Sequence, residues 1–251
     1  MSEKAQREET YHAGAYWGPR KETPEECARR AEVFLAALSG VDPSFSRWFQ
    51  HGRSLKEALK RPIAPDCVAL EKLIRRGKDR VREALGYSVW AWNGEPDDYD
   101  DSGFHVECGG WSEAVPNVCV FHLPNRGPNA ERVLSAPVLT GLLRSTAMAW
   151  EPDWGVAMSK THRDMVDKEG RADVWVGWVT YLSRRRGRVP PLPAPVRIEP
   201  VEDKGTLIIL TPERFTSANP EHVALAERVR ELLDRAGLLG PLKDSQATPA
   251  E

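Results

Sequence analysis

Between Trp92 and Gly103 the chain reads WNGEPDDYDDSG, which sets five carboxylates, Glu95, Asp97, Asp98, Asp100 and Asp101, within seven consecutive residues. Side chains of this kind at this density suit three chemistries: oxygen ligation of a hard cation, simple solvation of a turn, or docking against a strongly basic surface. Asp98-x-Asp100-x-Ser102-Gly103 matches the first half of a calcium loop. Such a loop closes with a bidentate glutamate at its twelfth position, and Gly109 stands there. A calcium-stabilised interaction module therefore rests on half a motif.

His105, Cys108, Cys119 and His122 form a second chemical cluster, of zinc-ligand type. Strand side chains alternate in direction, so residues three apart, such as His105 and Cys108, point to opposite faces and do not share one ion. The histidines would instead share a face with Glu107, a His105/His122/Glu107 set suited to acid–base chemistry. No G-x-S-x-G, H-E-x-x-H, G-x-x-x-x-G-K or G-x-G-x-x-G accompanies it. The expectation is a protein that is not an enzyme and uses no metal or cofactor.

Charge distribution favours the docking reading of the acidic stretch. Between Arg82 and Arg126 there are eight acidic residues and no Lys or Arg, although the whole chain carries only −2. An acidic island in an otherwise basic protein steers a basic partner and argues against direct nucleic-acid binding by this face. The candidate partner-binding set is Glu95, Asp97, Asp98, Asp100, Asp101, Glu107 and Glu113, with Trp111 in the turn C-G-G-W as an aromatic anchor. The basic run SRRRGR is read as a solvated turn.

These residues need elements to hold them. Residues 88–92 and 104–108 read as strands flanking the acidic loop, and residues 117–123 as a third strand after GGWSEAVP. If the last two strands pair so that residue numbers sum to 227, Phe104 faces Leu123, Val106 faces Phe121 and Cys108 faces Cys119, with His105 opposite His122 on the other side. Residues 11–17 suggest a strand. Thr23-Pro24-x-Glu26 then opens a helix by a capping box, with Cys27, Ala31, Phe34, Leu35 and Leu38 on one face before Gly40.

Short helices are expected over 43–50 and 54–59, and one over 65–75 with Val68, Leu70, Leu73 and Ile74 as its apolar set. A helix over 130–148 is interrupted near Pro137, a strand starts at Trp154, and 173–182 reads as a strong strand. A hairpin over 196–201 and 206–210 precedes a last helix opened by Asn219-Pro220 and ended at Gly237. Most of the nine tryptophans, including Trp90, Trp92, Trp175 and Trp178, read as core.

The outcome is an α+β protein, a mainly antiparallel sheet with helices packed on it at the start, middle and end of the chain. Residues 10–240 are read as one domain, residues 1–9 as a disordered N-terminus and 241–251 as a flexible tail. Irregularly spaced Cys27, Cys67, Cys108 and Cys119 fit reduced thiols, and no long apolar run suggests a membrane span, so the expected location is cytoplasmic.

The ordered series YWGPRKETPEECARRA (16–31), SRWFQHGRSLKEAL (46–59), WNG (92–94), CGGWS (108–112) and WEPDWGVAMS (150–159) resembles the immunity protein 52 family of bacterial polymorphic toxin systems. The resemblance implies an α+β cytoplasmic protein without catalytic activity. It would bind and neutralise a toxin encoded by a neighbouring gene, usually a nuclease of restriction-endonuclease fold, and so protect the producing cell and its kin. It supplies no inhibitory residues to carry over, so the acidic set rests on physical grounds.

Overall fold

The computed structural model describes residues 9–166 and 174–240. The disordered N-terminus and the flexible tail expected from the sequence fall almost wholly outside these residues. β1 (Tyr11–Trp17) leads to α1 (Pro24–Ser39), where Thr23 caps the Glu26 N–H and the Glu26 carboxylate accepts from the Thr23 N–H at 2.7 Å, as the capping box requires. α2 (Leu55–Ala58) and α3 (Cys67–Arg76) precede the hairpin strands β2 (Tyr87–Trp92), β3 (Gly103–Cys108) and β4 (Asn117–His122). The interruption expected near Pro137 falls at residues 134–135, with Pro137 in the first turn of the second helix, so α4 (Pro128–Val133) and α5 (Ala136–Trp150) are separate. β5 (Trp154–Ser159), α6 (Lys160–Val166), β6 (Val179–Ser183), β7 (Arg197–Val201), β8 (Gly205–Ile209) and α7 (Pro220–Arg235) complete the chain.

The strands form one antiparallel sheet in the order β2-β3-β4-β1-β5-β6-β8-β7, an α+β architecture. One face packs against α1, α3 and α5. There Phe34 of α1 meets Phe104, Phe121 and Trp150 with ring centroids 5.4, 5.9 and 6.1 Å apart, and Trp17 stacks on Trp150 at 5.8 Å. Burying several large rings in one layer is the main stabilising contact of the fold.

The opposite face is treated differently along the sheet. β3 and β4 alternate buried with partly exposed residues, whereas β6 is buried at every position and β5 at every position after Trp154. Residues 174–178 lie across β5, and Gly177 sits so close that a Cβ there would fall 2.5 Å from Val156 Cγ2 and 2.6 Å from Met158 Cβ. Trp175 closes against Trp154 at 5.9 Å and against the His12 ring at 6.3 Å. Among the described residues, β2 to β4 have no such cover.

Several sequence-based expectations are corrected here. The strand expected over 173–182 begins only at Val179, because the residues before it form the cover just described, and Asp173 lies outside the described residues. Residues 43–50 hold a single 3₁₀ turn capped by Asp42, after which Phe49 pairs with Trp92. Val68 is 64% exposed and leaves the apolar set of α3, and α6 was not anticipated.

The β3–β4 register sums to 225, not 227: Phe104 faces Phe121, Val106 faces Cys119, and His105 faces Val120. A two-residue slide preserves side-chain direction, so the apolar pattern cannot discriminate between the two registers. Asn117 distinguishes them. Its Oδ1 accepts from the Gly110 N–H at 2.8 Å, and its Nδ2 donates to the carbonyls of Gly110 and Gly18 at 3.0 and 2.9 Å, which clamps the start of β4.

Candidate functional site

The acidic loop is a tightly bonded hairpin connection at one end of β2 and β3. Asn93 Oδ1 accepts from the N–H groups of Glu95 and Ser102, Glu95 Oε1 from that of Asp97, and Asp97 Oδ1 from that of Tyr99 at 2.9 Å. Such local side-chain bonds stiffen a turn and aim its remaining groups. Tyr99 in turn carries the Arg126 guanidinium 3.7 Å from its ring centroid.

Asp100 points the other way. Only 6% exposed, it accepts from the N–H groups of Asn129 and Ala130 at 3.1 and 2.8 Å. Gly127, at the start of α4, has no side chain to do this, so a carboxylate from another loop caps the helix. Asp100 therefore leaves the partner-facing set. Its rotation into α4 also turns it from Asp98, and no group of three or more His, Cys, Asp or Glu converges as a metal site among the described residues.

Asp101 Oδ1 lies 3.1 Å from His122 Nε2, at the end of the uncovered face. Asp97 and Asp98 remain exposed, and Glu95 is half-buried. Glu107, the last but one residue of β3, lies on the uncovered face. Trp111 and Glu113 belong to the β3–β4 loop, at the far end of strands roughly 20 Å long. Trp111 does not adjoin the acidic loop: its N–H donates to the Ala84 carbonyl at 2.9 Å, and Lys21 Nζ lies 4.6 Å from its ring centroid. The eight candidates thus divide among three places: the hairpin tip, the open face and the distant loop.

The open face has a centre that the sequence reading placed in the core. Trp90 is 56% exposed and stacks on His105, with ring centroids 3.8 Å apart and planes 10° from parallel. The two are cross-strand partners on β2 and β3. His105 Nε2 lies 2.9 Å from Ser88 Oγ and 3.6 Å from Glu107 Oε1. Burial holds the His105 pKa below its ordinary value, with Glu107 opposing. Because Ser88 and Glu107 meet the same ring nitrogen, no Ser–His–acid relay forms, which needs the hydroxyl and the carboxylate on different nitrogens. His122 bonds with Asp101 and faces Gly103, so the two histidines do not oppose each other.

The zinc cluster is divided as alternation required, with Cys108 and Cys119 fully buried on the helix side. Among the described residues no helix is long and apolar enough to cross a membrane.

Comparison with known proteins places these features. The family model described as immunity protein 52 matches residues 9–242, nearly the whole chain. The chain belongs to the immunity protein 52 family. Membership makes it an immunity protein of a toxin system. Among solved structures it is similar to the Pseudomonas aeruginosa T6SS protein PA0821, with a TM-score of 0.53 and 12% identity over 95% of this chain and 78% of that one, a likeness of fold. No curated protein matches the chain.

Proposed function

We propose that this immunity protein binds and neutralises a cognate toxin encoded by a neighbouring gene, and that the toxin is a nuclease with a basic substrate groove. The observation that carries the reading is the rigid hairpin tip, which holds Asp97 and Asp98 exposed on a stretch with no Lys or Arg from residue 83 to 125. A nuclease grips phosphate with Lys and Arg, and preorganised carboxylates compete for that groove and raise the association rate. The protein acts by occupancy rather than turnover, in the cytoplasm of the producing cell, without metal or cofactor and without touching nucleic acid itself.

Titration against the purified toxin domain, following binding and DNA cleavage at two salt concentrations, tests this. Stoichiometric inhibition with association slowed by salt is the expected result. Binding without inhibition of DNA cleavage would contradict the nuclease assignment, and no binding at all would contradict the toxin-binding reading.

A further inference from the structure

The uncovered face has a composition that a solvated sheet surface does not require. Its centre is a half-exposed tryptophan on which the His105 ring stacks and which the His51 ring meets edge-on at 6.4 Å, and the ladder places Ser88 and Glu107 next to the Trp90–His105 pair. Trp90 and Glu107 are diagonal neighbours across β2 and β3, about 7 Å apart by sheet geometry. Val118 and Val120 of β4 continue the face, both partly exposed, and Asp101 closes its far end beside His122. The three strands contribute one carboxylate, Glu107, and aromatic surface, and no Lys or Arg.

We propose that this face is the seat of an arginine presented by the toxin, with its guanidinium against the exposed indole of Trp90 beside His105 and its N–H groups directed to Glu107. The assignment rests on the toxin-binding reading above and names the chemistry of the contact. A guanidinium is the group that matches both halves of the site. It stacks on an indole as an ammonium does not, and it donates in a planar fork to a carboxylate. Stacking on His105 holds the Trp90 ring in place before the partner arrives, so little side-chain freedom remains to be lost on binding. A large, rigid aromatic at the centre of a contact, with charge around it, is the usual place for dominant binding energy. Trp111, held beyond the end of β3 by the Ala84 carbonyl and by Lys21 over its ring, lies outside this contact.

The intact protein and three variants, Trp90→Ala, Glu107→Gln and Trp111→Ala, measured by calorimetric titration against the toxin domain, test the proposal. Trp90→Ala is expected to weaken binding by roughly thirtyfold or more, and Glu107→Gln by roughly fivefold to tenfold, with Trp111→Ala within twofold of the parent. Trp90 is exposed, so its variant should keep the parent melting temperature, which separates lost contact from lost fold. If the parent binds and Trp90→Ala binds equally well, the face is wrong while the toxin-binding reading stands. If Trp90→Ala weakens binding but Glu107→Gln does not, the contact is apolar and the arginine is wrong. Absence of binding by the parent overturns both.

Discussion

The two halves of the sheet solve the same problem in opposite ways. β5 and β6 bury both faces, one of them under α5; on the other, residues 174–178 cover β5, where Val156 and Met158 are fully buried, and the paired Thr180 and Ile208 beside them are fully buried too. β2, β3 and β4 bury one face and leave the other carrying Trp90, His105, Glu107 and His122. A strand covered on both sides is fixed by packing and has little surface left for a partner. A strand covered on one side can vary its outer residues at small cost in stability.

That contrast sets the size of mutational effects. Trp178 is fully buried and donates Nε1–H to the Thr211 carbonyl at 2.9 Å, so Trp178→Ala should cost about 3–5 kcal/mol in denaturant unfolding, through cavity formation and an orphaned carbonyl. Trp90→Ala on the open half should cost under about 1 kcal/mol. Comparable losses for the two would break the distinction between the halves.

His12 sharpens the border between them. Burial, reinforced by Arg163 and Lys160, holds its pKa down to about 4 from 6.5, and neither ring nitrogen has a hydrogen-bond partner among the described residues. The unfolded chain takes up the proton more readily than the folded one. The related stability is therefore present above pH 6.5 and is lost as pH falls toward 4, up to about 3 kcal/mol. Unfolding titrations at pH 7 and 4.5 should show His12→Phe flattening this dependence; an unchanged slope would place the effect elsewhere.

Within the acidic loop the contrast recurs on a smaller scale. Asp100→Ala removes the cap of α4 and should lower stability by about 1–2 kcal/mol, while Asp98→Asn should leave the melting temperature unchanged and slow association with the toxin. The reverse pattern would mean that the two carboxylates have exchanged roles.

Local signals made much of this fold legible. The capping box at Thr23, the hairpin strands around the acidic loop, and the start of α7 at Asn219 and Pro220 all depend on neighbours in sequence. What was missed depends on contacts distant in sequence. Asp100 looked like any other loop aspartate until α4 closed on it from 30 residues away. Trp90 looked like core because aromatic strand residues usually are; its exposure follows because no segment among the described residues covers it, which no local pattern encodes. Trp111 and the acidic loop are close in sequence, but successive hairpin loops fall at opposite ends of the strands, and the strand count alone would have separated them.

The most direct test of the central claim is amide hydrogen exchange on the protein alone and bound to its toxin. Toxin binding at the open half should slow exchange across the loop at residues 93–102 and in β2 and β3, and leave the already buried β5 and β6 unchanged. Protection confined to β7, β8 or α7, with none in residues 87–108, would contradict it.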